Sequence, residues 1–128
     1  MASFVVKSSL RAATASPLVF TEKTMWGGKK IRAGDEVFLF AAEHNGGRGL
    51  YGCGVAIDAT RGEGIWVTLT MKCTGAARRP LGRAELRPFR DRPDGGPGME
   101  IDHKLYRQAT NKIAGISDAA AMFLRGFF

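Results

Sequence analysis

The stretch LYGCGVAI, residues 50–57, decides how the rest of the chain is read. At a period of two, Tyr51, Cys53, Val55 and Ile57 share one face, and Gly52 and Gly54 fall on the other. Glycines inside a strand mark a bend, a bulge or the close approach of another group. They either let a small sheet coil into a barrel or clear room for a ligand, and the barrel is the expected reading.

The flanks agree with a β-rich body. After the Arg61–Gly64 turn comes IWVTLTMK, 65–72, with Ile65, Val67, Leu69 and Met71 on an apolar face. Trp66 falls on the polar face with Thr68, Thr70 and Lys72, and a terminal helix is expected to cover it. Upstream, Ala33-Gly34-Asp35 is a turn that launches Glu36–Ala42, apolar on both faces and so expected to be a central strand. His44-Asn45-Gly46-Gly47 carries a hairpin signal. Phe4-Val5-Val6 is a short first strand ending at Lys7-Ser8-Ser9. Between them, Pro17 breaks any helix begun at Leu10.

Residues 74–98 hold four of the five prolines and five of the 17 glycines, which predicts a long loop with one helical turn at Arg83–Leu86. Leu105 and Tyr106 with Ala109 predict a helix. Residues 110–117, TNKIAGIS, read as a polar-basic connector, and Ser117 reads as the N-cap of a helix over Asp118–Arg125.

The 128 residues suit one domain, and 45% hydrophobic residues suit a folded one. The first 21 residues have a faint transit-peptide composition, but their apolar runs are short and they are expected to belong to the fold. Net charge is +7 and uneven: residues 1–64 carry eight Lys/Arg against six Asp/Glu, and residues 65–128 eleven against six. That excess fits a polyanionic partner such as nucleic acid. Cys53, Cys73, His44 and His103 lack the spacing of a zinc site, so no metal or cofactor is expected and a reduced, cytoplasmic protein is. No apolar run approaches the ~20 residues of a membrane helix.

No P-loop, nucleophile elbow or dinucleotide fingerprint is present. Gly46-Gly47-Arg48-Gly49 is glycine-rich, but no predicted helix follows it to receive a phosphate. Cys53, inside an apolar strand, reads as inert core. Binding chemistry is better represented, because flat bases stack on aromatics and phosphates pair with Lys and Arg. Three clusters supply these groups: Trp26 with Lys29, Lys30 and Arg32; the arginines at 78, 79, 83, 87, 90 and 92; and Tyr106 with Arg107, Asn111 and Lys112.

The order of short motifs resembles the EVE family. FVVKSS, TMWGGKK, IRAGDEVFLF, LYGCGVAI, RPLGRAEL and a closing ISDAA helix follow one another along nearly the whole chain. EVE domains belong to the PUA-like superfamily, with YTH and ASCH domains as relatives. The resemblance implies an α+β domain over residues 1–128: a small, strongly bent β-barrel of PUA-like type with flanking helices. It also implies a non-catalytic module that binds DNA or RNA and takes a modified or flipped-out base in an aromatic pocket. Position by position, Ser8 and Ser9 would stand at the pocket mouth, Trp26 and Gly27 in the lining, and Tyr106 to Lys112 on the approaching helix and loop. Trp26 would then stack, and Ser8 and Asn111 would bond base edges. Phosphates would fall to Lys29, Lys30, Arg32, Arg78, Arg79, Arg107 and Lys112. The chain departs from the family after Lys7-Ser8, reading Ser9-Leu10-Arg11 where EVE proteins usually have Glu-Pro. Two other readings stand beside this one. The first is an ASCH-like ribonuclease using Tyr106. The second is a protein-interaction module using the FLRGFF tail, the chain otherwise being a monomer or weak homodimer.

Overall fold

A computed structural model describes residues 2–10, 17–42, 49–92, 94–107 and 110–128. The expected hairpin at 44–47 and the contribution of Ala109 lie outside them. Six strands close a barrel in the order β1-β3-β4-β5-β2-β6. They are β1 (Ser3–Ser8), β2 (Leu18–Met25), β3 (Glu36–Ala41), β4 (Gly49–Arg61), β5 (Trp66–Ala76) and β6 (Lys112–Ile116). Among the described residues, three α-helices flank it: α1 (Arg83–Leu86), α2 (Gly96–Tyr106) and α3 (Asp118–Arg125). The predicted turn at Arg83–Leu86 and the helix over Asp118–Arg125 form as expected, and the Ser117 hydroxyl accepts the amide of Ala120. Among the described residues, no helix is long and apolar enough to cross a membrane.

Strand alternation divides the apolar side chains between two cores. Phe4, Val6, Phe20, Val37, Leu39, Val67, Leu69 and Met71 fill the barrel interior. Val5, Phe38 and Phe40 face outward and meet Leu86, Ile101, Leu105 and Leu124 of the helices. β1 and β3 are therefore buried on both faces, which explains the double-sided apolar run in the sequence. Among the described residues, the helices cover this side of the barrel only.

The residues 50–57 behave as a coiling element. Gly52 and Gly54 point inward and are buried. At Gly54 the β4–β5 register shifts, and a Cβ there would collide with the Lys72 carbonyl. Such bulges sharpen strand curvature, so the glycine serves closure rather than a cavity.

Three expectations need correction. The connector 110–117 is in fact β6, the closing strand, antiparallel to β1 and parallel to β2. Its period-two pattern is obscured because Lys112 occupies an outward, fully buried position that sequence polarity assigns to solvent. Trp66 is not covered: it stays 40% exposed, because the helices pack on the opposite half of the barrel. The stretch read as loop over 74–98 also contains the end of β5 and the first turn of α2, whose Gly-Pro-Gly opening hides the helix from propensity.

Candidate nucleic-acid interface

Trp26 follows the last residue of β2 and takes a left-handed conformation (φ 55°), which is uncommon for a bulky residue. Close packing holds it there. A Cβ at Gly115 of β6 would stand 2.7 Å from the Trp26 carbonyl, and one at Gly28 would strike the Ile113 carbonyl. Two glycines thus let the Trp26–Lys30 turn lie directly on β6, and the indole is thrust outward, 45% exposed. It caps no core. Its ring meets His103 edge-on at 5.4 Å between centroids, and Lys104 Nζ lies 5.6 Å from its centroid.

The indole opens onto a cleft of about 830 Å³. Phe4 and Ile116 form part of its apolar wall, and Lys30, Arg32, Arg61 and Lys104 supply four cations. Asp35 is the acid of the lining, and it is engaged: its carboxylate accepts the amides of Ala2 and Arg32. Lys104 is fixed by bonds from its ammonium to Glu100 (3.0 Å) and to the Gly115 carbonyl (2.8 Å). Burial pushes the Glu100 carboxyl up, but the hydroxyl and amide of Ser117 together with Lys104 outweigh this and hold it below the usual range. Arg61 reaches the cleft while bonding the Ile31 carbonyl at 2.6 Å.

The expected residues do not converge on one pocket. Trp26, Gly27, Lys30 and Arg32 share this cleft, and Lys29 stands next to it with its ammonium on the Gly64 carbonyl at 2.6 Å. Ser8 lies at the far end of β1, about 17 Å of strand from Ser3, so it cannot face Trp26. At that end the register pairs Lys7 with Lys112 and so brings Asn111 level with Ser8, whose hydroxyl donates to Glu22. Asn111 Oδ1 is buried with no hydrogen-bond partner. Ser9 follows Ser8, half-buried.

Tyr106 belongs to the core between barrel and helices, its ring flanked by Lys7 Nζ at 5.0 Å and the Arg83 guanidinium at 5.1 Å. Lys112 Nζ donates to the Lys104 carbonyl at 2.8 Å. Arg107 pairs with Asp91 at 2.6 Å. Arg78 and Arg79 are exposed beside the C-terminal tail, where Arg79 bonds the Gly126 carbonyl and lies 4.4 Å from the Phe127 ring centroid.

Sequence reasoning missed Arg61, His103, Lys104 and Glu22. Arg61 follows a strand read as ending at Ile57, and His103 and Lys104 lie on a helix read as starting only at Leu105, so none of them carried a placement signal. Cys53 is half-buried, and burial pushes its thiol up, away from the thiolate. Among the described residues, no group of His, Cys, Asp and Glu could hold a metal ion.

A closed six-stranded barrel with helices packed on one side, and a cationic aromatic cleft at one rim, makes this an α+β protein with the bent-barrel fold expected from the sequence. The solved structures of similar shape bear this out. The human THYN1 protein, solved in complex with DNA containing 5-methylcytosine, superposes with a TM-score of 0.70 at 13% identity, over 98% of this chain and 96% of that one. The DUF55 domain of human thymocyte nuclear protein 1 gives 0.68 at 12% identity, over 97% and 96%. A Rhodopseudomonas palustris protein gives 0.64 at 15% identity, over 99% and 93%. The sequence matches no family model and no curated protein.

Proposed function

We propose that this chain is a non-catalytic nucleic-acid-binding module whose contact surface is the Trp26 cleft. The observation that carries the reading is an outward-held indole sharing one cleft with Lys30, Arg32, Arg61 and Lys104. Stacking of a base on an exposed aromatic contributes ~1–3 kcal/mol, and cations along the cleft neutralise the phosphates on either side. A base reaches such a ring only when unpaired or flipped, because a stacked base hides its faces. The DNA complex of human THYN1, a protein of the same fold, supports the partner class.

Recognition of a modified base would need both donors and acceptors aimed at a base edge, and the indole offers a single N–H donor and no acceptor. Ser8 and Asn111 lie at the opposite mouth beside Glu22, too far to read the edge of a base stacked on Trp26. In this reading they contact another part of the ligand, and the unpartnered Asn111 Oδ1 is the observation favouring a contact there. Lys29, Lys30 and Arg32 hold phosphate in this reading. Tyr106, enclosed between Lys7 and Arg83, gives no support to a ribonuclease. Phe123, Phe127 and Phe128, packed against the core, give none to a free docking tail.

The test is fluorescence anisotropy with labelled single- and double-stranded oligonucleotides at low salt. Wild-type protein should bind single strands more tightly, and Trp26→Ala should weaken that binding. Absence of binding, or binding untouched by Trp26→Ala, overturns the reading.

A further inference from the structure

Trp66 is the second of the two tryptophans, and the proposed cleft does not account for it. It projects from the half of the barrel that no helix covers among the described residues, with Val19, Val55 and Ile57 also exposed there. Thr68 and Thr70 of β5 share its face, and the hydroxyls of Thr21 and Thr68 meet at 3.0 Å. Lys23 pairs with Trp66 across β2 and β5 and places its ammonium 5.7 Å from the ring centroid. An indole left in solvent beside a cation, on a sheet face of threonine hydroxyls and exposed aliphatic side chains, resembles half of a stacking site.

This face is continuous with the Trp26 cleft. Both tryptophans stand at the same rim of the barrel, Trp26 just past the end of β2 and Trp66 at the start of β5. Thr24 bonds the Ile65 carbonyl through its amide and its hydroxyl, and Lys29 reaches the Gly64 carbonyl. From Trp66 to its partner Lys23 is about 5 Å between Cα atoms, and three further residues lead to Trp26. The two Cα atoms are therefore within about 15 Å. A single strand stacked at about 3.4 Å per nucleotide covers that span in roughly four nucleotides. The charge along the route is complementary to phosphate, with Lys23, Lys29 and Arg61 against Glu63 at the hairpin tip.

We infer that the ligand of this protein is an extended single strand whose footprint runs from Trp26 over the rim to Trp66. Trp26 stacks one base, Trp66 stacks another a few nucleotides along, and Lys23, Lys29 and Arg61 hold the phosphates between them. This inference rests on the nucleic-acid reading of the cleft and adds a second platform to it. A duplex cannot satisfy both rings, because its bases present their faces to one another.

The experiment is a length series of labelled oligothymidylates of two, four and eight nucleotides, bound to wild type, Trp26→Ala and Trp66→Thr. Affinity for wild type should rise at least tenfold from two nucleotides to eight. Trp66→Thr should bind the dinucleotide as wild type does and lose most of that gain, whereas Trp26→Ala should bind all three weakly. In Trp26→Phe, where Trp66 is the remaining indole, the octanucleotide should quench emission and the dinucleotide should not. Wild-type behaviour of Trp66→Thr at every length, with Trp26→Ala still weak, overturns the extended footprint and leaves the cleft standing. Indifference of binding to both substitutions removes the cleft reading as well. A wild-type dimer by light scattering that Trp66→Thr converts to monomer would make the face a protein contact and would overturn the inference.

Discussion

Lys7 and Lys112 are cross-strand partners, and both of their ammonium groups end on the same helix. Lys7 Nζ donates to the Leu105 carbonyl at 2.9 Å, and Lys112 Nζ to the Lys104 carbonyl at 2.8 Å. Those carbonyls close α2, where the helix dipole is negative, so two buried cations satisfy the end of the helix that carries Lys104 to Trp26. The arrangement also costs something: burial, and then the neighbouring Lys7 charge, push the Lys112 ammonium down to about 8 from 10.5.

That shift gives stability a definite pH dependence. Below pH 8, Lys112 is protonated in the folded and unfolded states alike, and its contribution is flat. Between pH 8 and 10.5 the unfolded chain keeps a proton that the folded protein has released, so stability rises with pH and levels off above that window. The rise from this group is on the order of 3 kcal/mol at 1.36 kcal/mol per pH unit. Urea unfolding at pH 7, 9 and 10.5 should detect it, and Lys112→Met should remove it. Equal pH profiles for the two proteins would contradict this account.

Trp26 is held in a left-handed conformation that costs an L-residue about 1–2 kcal/mol and glycine almost nothing. Trp26→Gly should therefore be about 1 kcal/mol more stable than Trp26→Ala by thermal unfolding. Both should lose oligonucleotide affinity by a factor of about 5 to 150, equivalent to the ~1–3 kcal/mol of one stacked base. A glycine variant that binds like wild type would show that the indole is only structural.

The cations of the cleft and those of the tail should separate in a salt titration. Each phosphate contact contributes about 0.7 to the slope of log affinity against log salt on a single strand. Lys30→Ala and Arg32→Ala should each flatten the slope by about that amount. Arg79→Ala should leave it unchanged, because its guanidinium is occupied by Gly126 and Phe127 at a site apart from the cleft. A larger effect at Arg79 would move the interface to the C-terminal side.

The tail belongs to the core. Phe128 lies 6.0 Å from Phe38 between ring centroids, and the Phe127 carbonyl accepts the Arg78 amide at 2.7 Å. Deleting residues 126–128 should lower stability by about 3 kcal/mol, the scale of a lost core aromatic, without changing mass by light scattering. A change in oligomeric state would restore the docking-tail reading.

Much of the framework is legible in the residues themselves. Glu36–Ala42 is apolar on both faces because it is sandwiched between the barrel interior and the helices, and that is visible as an unbroken apolar run. Ser117 announces its helix because capping is a local bond, needing nothing beyond three residues downstream. Gly54 reports a bulge for the same reason, since the missing Cβ is itself the signal.

What the sequence alone determined is four of the six strands, the curvature that the β4 glycines permit, the charge excess, and an aromatic followed by cations at Trp26; β2 and β6 emerged only with the closed barrel. Only the tertiary structure decided which of those groups meet. Strand register carries Ser8 and Asn111 to one end of β1 and Trp26 to the other, and the one-sided placement of the helices leaves Trp66 in solvent while enclosing Tyr106 and Lys112. Register and helix placement come from contacts between residues far apart in the chain. A lysine buried on a helix carbonyl and a lysine lining a cleft therefore read alike until the barrel is closed.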